Sequence, residues 1–123
     1  MDQFKTGRNK KGPEKILQEE IESLLRNKGW YVIRTHGNMF QSGLPDNFAC
    51  HSRYGQRWIE IKHPDRKGDV FTAAQHDVFP KLCAHGSGVW VLVGATESEY
   101  TKLFDRPNWI FYLSSWTRTK GLG

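Results

Sequence analysis

The sequence predicts an α/β fold, a mixed β-sheet with helices packed against it. Three observations carry this. Residues 13–28 repeat apolar side chains at helical spacing. Three short strand-like segments follow between residues 30 and 62, the first rich in β-branched and aromatic residues and the third alternating. A second helical pattern then leads into the apolar run Val-Trp-Val-Leu-Val at residues 89–93.

The elements follow in order. Residues 1–12, rich in Gly, Asn and Lys, read as a flexible basic arm ahead of a single domain over residues 13–123. Pro13 suits the first turn of a helix, and Glu14 suits its positive end. Ile16, Leu17, Ile21, Leu24 and Leu25 form its apolar stripe, and Gly29 stops it after Lys28. Residues 30–34 predict a strand, and residues 36–45, with Gly37, Asn38, Gly43 and Pro45, a loop. Residues 46–52 predict a second strand. Tyr54, Gly55 and Gln56 predict a turn, with Gly55 free to take positive φ. Residues 57–62 alternate and predict a third strand, ended by the polar stretch 63–69. Thr72 is placed to cap a helix reaching about Ala84, with Pro80 inside it as a kink or division. The run 89–93 predicts a strand buried on both faces. Residues 97–104 predict a short helix and residues 109–113 an edge strand.

Composition narrows the function. The 123 residues hold 18 Lys and Arg against 13 Asp and Glu, a net charge of +5, which suits a polyanionic partner. Much of that charge crowds the start, at Lys5, Arg8, Lys10, Lys11 and Lys15. Cys50 and Cys83 make no zinc pattern and predict reduced, packed thiols. No apolar run reaches the ~20 residues a membrane helix needs. The expectation is a soluble, cytoplasmic protein with no membrane partner.

The chemistry sits on the second and third strands. Metal-assisted phosphodiester hydrolysis needs hard oxygen ligands close together, a group that orients water, and positive charge for the developing phosphorane. Glu60 and Lys62 lie two apart on one strand and so share a face. The tight turn makes the two strands antiparallel, which brings Asp46, at the start of one, beside Glu60 and Lys62, at the end of the other. Ile59 and Ile61 point to the opposite face. A Glu-X-Lys strand alone is a weak signal, better explained by a half-solvated surface strand with an exposed salt bridge.

The motifs in series are more specific. Gly43-Leu44-Pro45-Asp46 followed by Glu60-Ile61-Lys62 resembles the signature of the PD-(D/E)XK nuclease superfamily. The nearest likeness is to VRR-NUC domains, with a looser one to archaeal-type Holliday junction resolvases. The first helix, with Glu14, Gln18, Ile21, Leu25 and Gly29, resembles the family's opening helix. Phe71-Thr72-Ala73-Ala74-Gln75 resembles its second helix start, and residues 88–94 its next strand. The likeness spans residues 13–96 in the family's order. Two positions depart from it: Ala74 stands in place of the usual Pro, and His63 follows Lys62 in place of a small residue.

The resemblance implies a restriction-endonuclease-like core in αβββαβ order. It implies Asp46 and Glu60 as ligands of Mg2+ or Mn2+, with the Ile61 carbonyl as an extra one, and Lys62 as the group that orients water. An acidic helix residue joins such sites; Glu14 is the first choice and Gln18 the alternative, whereas Glu19, Glu20 and Glu22 read as solvent-facing charges. Gln75 is implied to approach the metal or phosphate. His36 and His63 are accessory candidates for phosphate or substrate contact, although a surface histidine is the commoner case. Arg8, Lys10, Lys11, Arg66 and Lys67 are candidate DNA contacts. The implied activity is that of a metal-dependent DNA endonuclease on branched or structured DNA, such as Holliday junctions. The resemblance also implies a homodimer in a bacterial or phage-infected cell, with Trp90, Trp109, Phe111, Tyr112 or Trp116 as candidates for the dimer surface that core packing explains as well. The alternative is a nuclease-fold DNA-binding module without activity.

Overall fold

The computed structural model describes residues 12–35, 42–65 and 71–113. Helix α1 spans Pro13–Asn27 and leads into strand β1, Tyr31–Arg34. Strands β2 (Asn47–His51) and β3 (Gly55–Ile61) follow. Helix α2 (Ala73–Ala84), strand β4 (Val89–Leu92) and the short helix α3 (Glu97–Thr101) complete the ordered sequence of elements, with 3-10 turns at Lys102–Phe104 and Trp109–Tyr112.

The sheet order is β1-β2-β3-β4. The first three strands are antiparallel, and β4 joins β3 in parallel, so the sheet is mixed. The parallel step requires a crossover, and α2 supplies it. The predicted α/β class with a mixed sheet flanked by helices is therefore observed.

Alternation along the strands divides the core. Val32, Ala49, Ile59, Ile61 and Leu92 pack under Leu17, Ile21 and Leu25 of α1. Val89 and Val91 face the other way and pack with Phe71, Phe79, Trp109 and Leu113. Each large aliphatic side chain taken fully out of water contributes roughly 1.5–3 kcal/mol, so these two layers supply most of the drive to fold. Among the described residues, Trp30 and Trp109 are buried, and Cys50 and Cys83 are unbridged. No described helix is long and apolar enough to cross a membrane.

Two local expectations change. The β2–β3 turn lies at residues 52–54, earlier than expected, because His51 already pairs with Gly55. Gly55 takes φ of 90°, which closes a three-residue turn at its end rather than at its centre. Residues 109–113 do not form an edge strand. Asn108 blocks that pairing: its Oδ1 accepts from the Val91 amide at 2.6 Å, and its Nδ2 donates to the Val91 carbonyl at 3.1 Å. A side-chain amide thus occupies the β4 edge. Trp109 and Leu113 are buried while Ile110 and Phe111 are exposed, a helical spacing and not an alternating one. Helix α2 runs through Pro80 without dividing.

Candidate active site

Asp46, Glu60, Lys62 and Gln75 converge at one end of the β2–β3 pair. The register that matches Asn47 with Ile59 places Asp46 next to Glu60. The Asp46 amide donates to Glu60 Oε1 at 3.2 Å, and Asp46 Oδ2 accepts from the Ile61 amide at 2.8 Å. The Glu60 carboxylate thus holds the main chain at Asp46, and the Asp46 carboxylate holds the main chain of β3 at Ile61. Lys62 Nζ lies 2.9 Å from Glu60 Oε2 and 5.4 Å from the centre of the Phe71 ring. The ammonium is thus paired and lies against an aromatic ring, in reach of a cation–π contact.

Gln75 reaches the site by way of a helix cap. Thr72 and Gln75 form a reciprocal capping box: the Gln75 amide donates to Thr72 Oγ1, and Gln75 Oε1 accepts from the Thr72 amide, both at 3.1 Å. With its oxygen committed to the cap, the side-chain NH2 must face the sheet. It donates to both Glu60 oxygens at 3.2 Å. Gly43, with φ of 92°, lets the chain before Asp46 pass close to α2, since a Cβ there would stand 2.6 Å from Val78 Cγ2.

Glu60 is 2 % exposed. Burial pushes its carboxyl up to about 7, and the neighbouring Asp46 adds to the shift; Lys62 and Gln75 oppose it. Folding therefore raises this acid above its ordinary value of 4.5. Its contribution to stability is fully present below that value and is lost as pH rises through about 7. Without divalent metal, the wild type is expected to lose roughly 2–3 kcal/mol more stability between pH 5 and 8 than Glu60→Gln. Denaturant melts of both proteins at the two pH values check this, and an equal loss in both would remove Glu60 as the source.

The donor set suits a hard divalent cation. Two carboxylates joined by main-chain oxygen and water are what Mg2+ commonly takes, and a cation would relieve the strain of ionising Glu60 beside Asp46. Among the described residues, no group of three or more His, Cys, Asp or Glu side chains is gathered for a metal. Asp46 and Glu60 are thus the carboxylates available, and remaining positions would fall to solvent or phosphate oxygen.

The helix residues differ from expectation. Glu14 is exposed at the first turn of α1. It lines a cleft of about 380 Å³ with Gly12, Pro13, His63 and Asp65, beside the loop that follows Lys62. Gln18 is buried, and its Nε2 donates to Asn47 Oδ1 at 3.1 Å. Glu22, expected in solvent, is 3 % exposed. Arg34 Nε donates to its Oε2 at 2.9 Å, and Asn47 Nδ2 donates to the same atom at 2.7 Å. The reason is geometric. Residues 18 and 22 lie one position beyond the apolar row 17, 21 and 25, inside the width of the face that meets the sheet, and partners there offset the burial of a charge.

His63 is half-buried, and its Nδ1 accepts from the Asp65 amide at 3.2 Å. The Ile61 side chain lies in the core, with its amide held by Asp46. Arg8, Lys10, Lys11, His36, Arg66 and Lys67 lie outside the described residues. Sequence reasoning passed over Asn47, Glu22, Arg34 and Thr35. The Thr35 hydroxyl and amide both donate to the Asp46 carbonyl, at 3.1 and 3.0 Å. A polar residue at position 47, in a segment otherwise read as strand, was the available signal. No family model, no curated protein and no solved structure matches this chain.

Proposed function

We propose that this chain is a Mg2+- or Mn2+-dependent endonuclease with a restriction-endonuclease-like core, hydrolysing phosphodiester bonds in branched or structured DNA. One observation carries the reading: two carboxylates, a buried amine and an oriented amide meet at the end of one antiparallel strand pair. The αβββαβ order, the Glu60-Ile61-Lys62 strand and the likeness to VRR-NUC domains support it. The net charge of +5 favours a polyanionic substrate.

In this reading Asp46 and Glu60 hold the cation. When bound, it lends Lewis acidity to the phosphate and makes its bound water more acidic. Lys62 orients the attacking water and places positive charge beside the phosphorane as its oxygens gain charge. Gln75 keeps Glu60 aimed by bonding both of its oxygens. The exposed cleft between Glu14 and His63, lined in part by the loop that follows Lys62, is the path proposed for the strand being cut. A homodimer would present two such centres about a two-fold axis, as a four-way junction requires. Phe111, 81 % exposed, is available for such a contact, whereas Trp109 is committed to the core.

Cleavage of duplex, single-stranded, flapped and four-way-junction DNA with Mg2+ or Mn2+ tests the proposal. Paired symmetric cuts in the junction are the expected result. Binding of all four DNAs with cleavage of none, under either metal, would replace this reading with that of an inactive nuclease-fold binding module.

A further inference from the structure

We propose that Asn47, held by Gln18 and Glu22, is a positioning residue that fixes the Asp46 carboxylate from the opposite face of the sheet. This rests on the reading of the site as a divalent-metal nuclease centre.

Asn47 is fully buried on the α1 side of the sheet, bonded to Gln18 and Glu22 of α1 and paired in register with Ile59. An amide there is costly unless every polar atom finds a partner. Here each does. Its Oδ1 accepts from Gln18 Nε2 at 3.1 Å, and its Nδ2 donates to Glu22 Oε2 at 2.7 Å and to the Ile33 carbonyl at 3.2 Å. One side chain thus ties α1, β1 and β2 together. Glu22 is anchored in turn by Arg34. Aliphatic residues of similar volume in place of Asn47 and its polar partners together would fill this space without desolvating polar groups, and replacement of a whole buried polar group in that way is often neutral or stabilising. What the amide adds is direction.

That direction matters because of where Asn47 stands. It is the first residue of β2, and Asp46 lies just before the strand begins. Strand ends fray, and a slip of one residue turns every side chain to the other face. With Asn47 bonded into the α1 face, alternation sends Asp46 to the other face, where Glu60 meets Gln75. The Thr35 bonds to the Asp46 carbonyl fix the same peptide from the residue that follows β1. No charge or proton passes through Asn47. It acts by holding the backbone from which Asp46 projects.

The test compares wild type, Gln18→Ala and Asn47→Ala. Two readouts need no cleavage. One is hydrogen-exchange protection of the Ile61 amide in metal-free protein, which reports its bond to Asp46 Oδ2. The other is the Mn2+ concentration that gives half-maximal thermal stabilisation. Both variants are expected to remain folded, to lose Ile61 protection selectively, and to need about 10–100-fold more Mn2+. Their kcat should fall by a similar factor, with DNA affinity in EDTA unchanged. A merely structural role would lower the melting temperature and leave the Mn2+ midpoint of the folded protein in place. Wild-type Ile61 protection and Mn2+ midpoint in a folded variant would overturn the proposal. If Asn47→Ala does not fold, Gln18→Ala, which removes a single bond, decides the matter alone. A wild type that neither binds Mn2+ nor cuts would remove the nuclease reading itself, and this inference with it.

Discussion

Replacing Lys62 by Ala is expected to lower kcat/KM for DNA cleavage by at least about 10³-fold, with the fold intact. The ammonium is the one cation in the described constellation of Asp46, Glu60, Lys62 and Gln75, so in the proposed mechanism its loss removes both the water-orienting group and the charge opposite the phosphorane. Stability should respond far less. Truncation leaves Glu60 without its ion-pair partner, but a carboxyl already raised to about 7 can take up a proton near neutral pH and stay buried as the neutral acid. Loss of activity with a melting temperature within a few degrees of wild type is the expected pair of results. Asp46→Ala should act likewise and should also abolish metal-induced stabilisation. Single-turnover cleavage and thermal melts, with and without Mn2+, measure all of these. A Lys62→Ala protein that cuts within tenfold of wild type would take Lys62 out of the chemistry.

Glu22→Ala should have the largest effect on folding. The carboxylate is buried and accepts from Arg34 and Asn47. Burial alone would raise its pKa, but the bonds from Arg34 and Asn47 outweigh burial and hold it below the ordinary 4.5. Truncation leaves Arg34 and one Asn47 N–H without that acceptor. Loss of one partner from a buried pair costs about 3–5 kcal/mol. The Arg34 side chain keeps 28 % exposure and can turn partly to water, so roughly 2–3 kcal/mol is the better expectation here. In a domain of this size that lowers the melting temperature by roughly 10 °C. The sign with pH follows from the lowered pKa. The stabilisation is present above 4.5 and is lost as pH falls through the folded value below it. The gap between wild type and Glu22→Gln should therefore close in strong acid. Melts across pH 3 to 7 check this, and a gap that widens on acidification would contradict the ion pair as its origin.

The pattern of elements was legible because it rests on local periodicity. The 3.6-residue stripe of α1, the alternation of Arg57-Trp58-Ile59-Glu60-Ile61 and the continuous apolar run of β4 each state what they bury. The pairing of β2 with β3 followed from a short turn at Gly55, and that pairing set Asp46 beside Glu60 and Lys62. The segment at residues 109–113 was misread because aromatic composition favours a strand, while the competing partner for the β4 edge was the amide of Asn108, which no strand propensity encodes.

By itself the sequence determined the α/β class, the mixed sheet with its flanking helices, and the alternation that gives Glu60 and Lys62 a common face. These depend on spacing along the chain, and spacing is visible in one dimension. Which helix residues turn onto the sheet was decided only by the tertiary structure. Both Glu14 and Glu22 lie on α1, yet Glu14 is exposed and lines an open cleft while Glu22 meets Arg34 and Asn47. The aim of Gln75 likewise depends on a capping box packed against β3. Whether a charge is buried or solvated depends on partners distant in sequence, and the free energy that separates the two outcomes resides in those contacts.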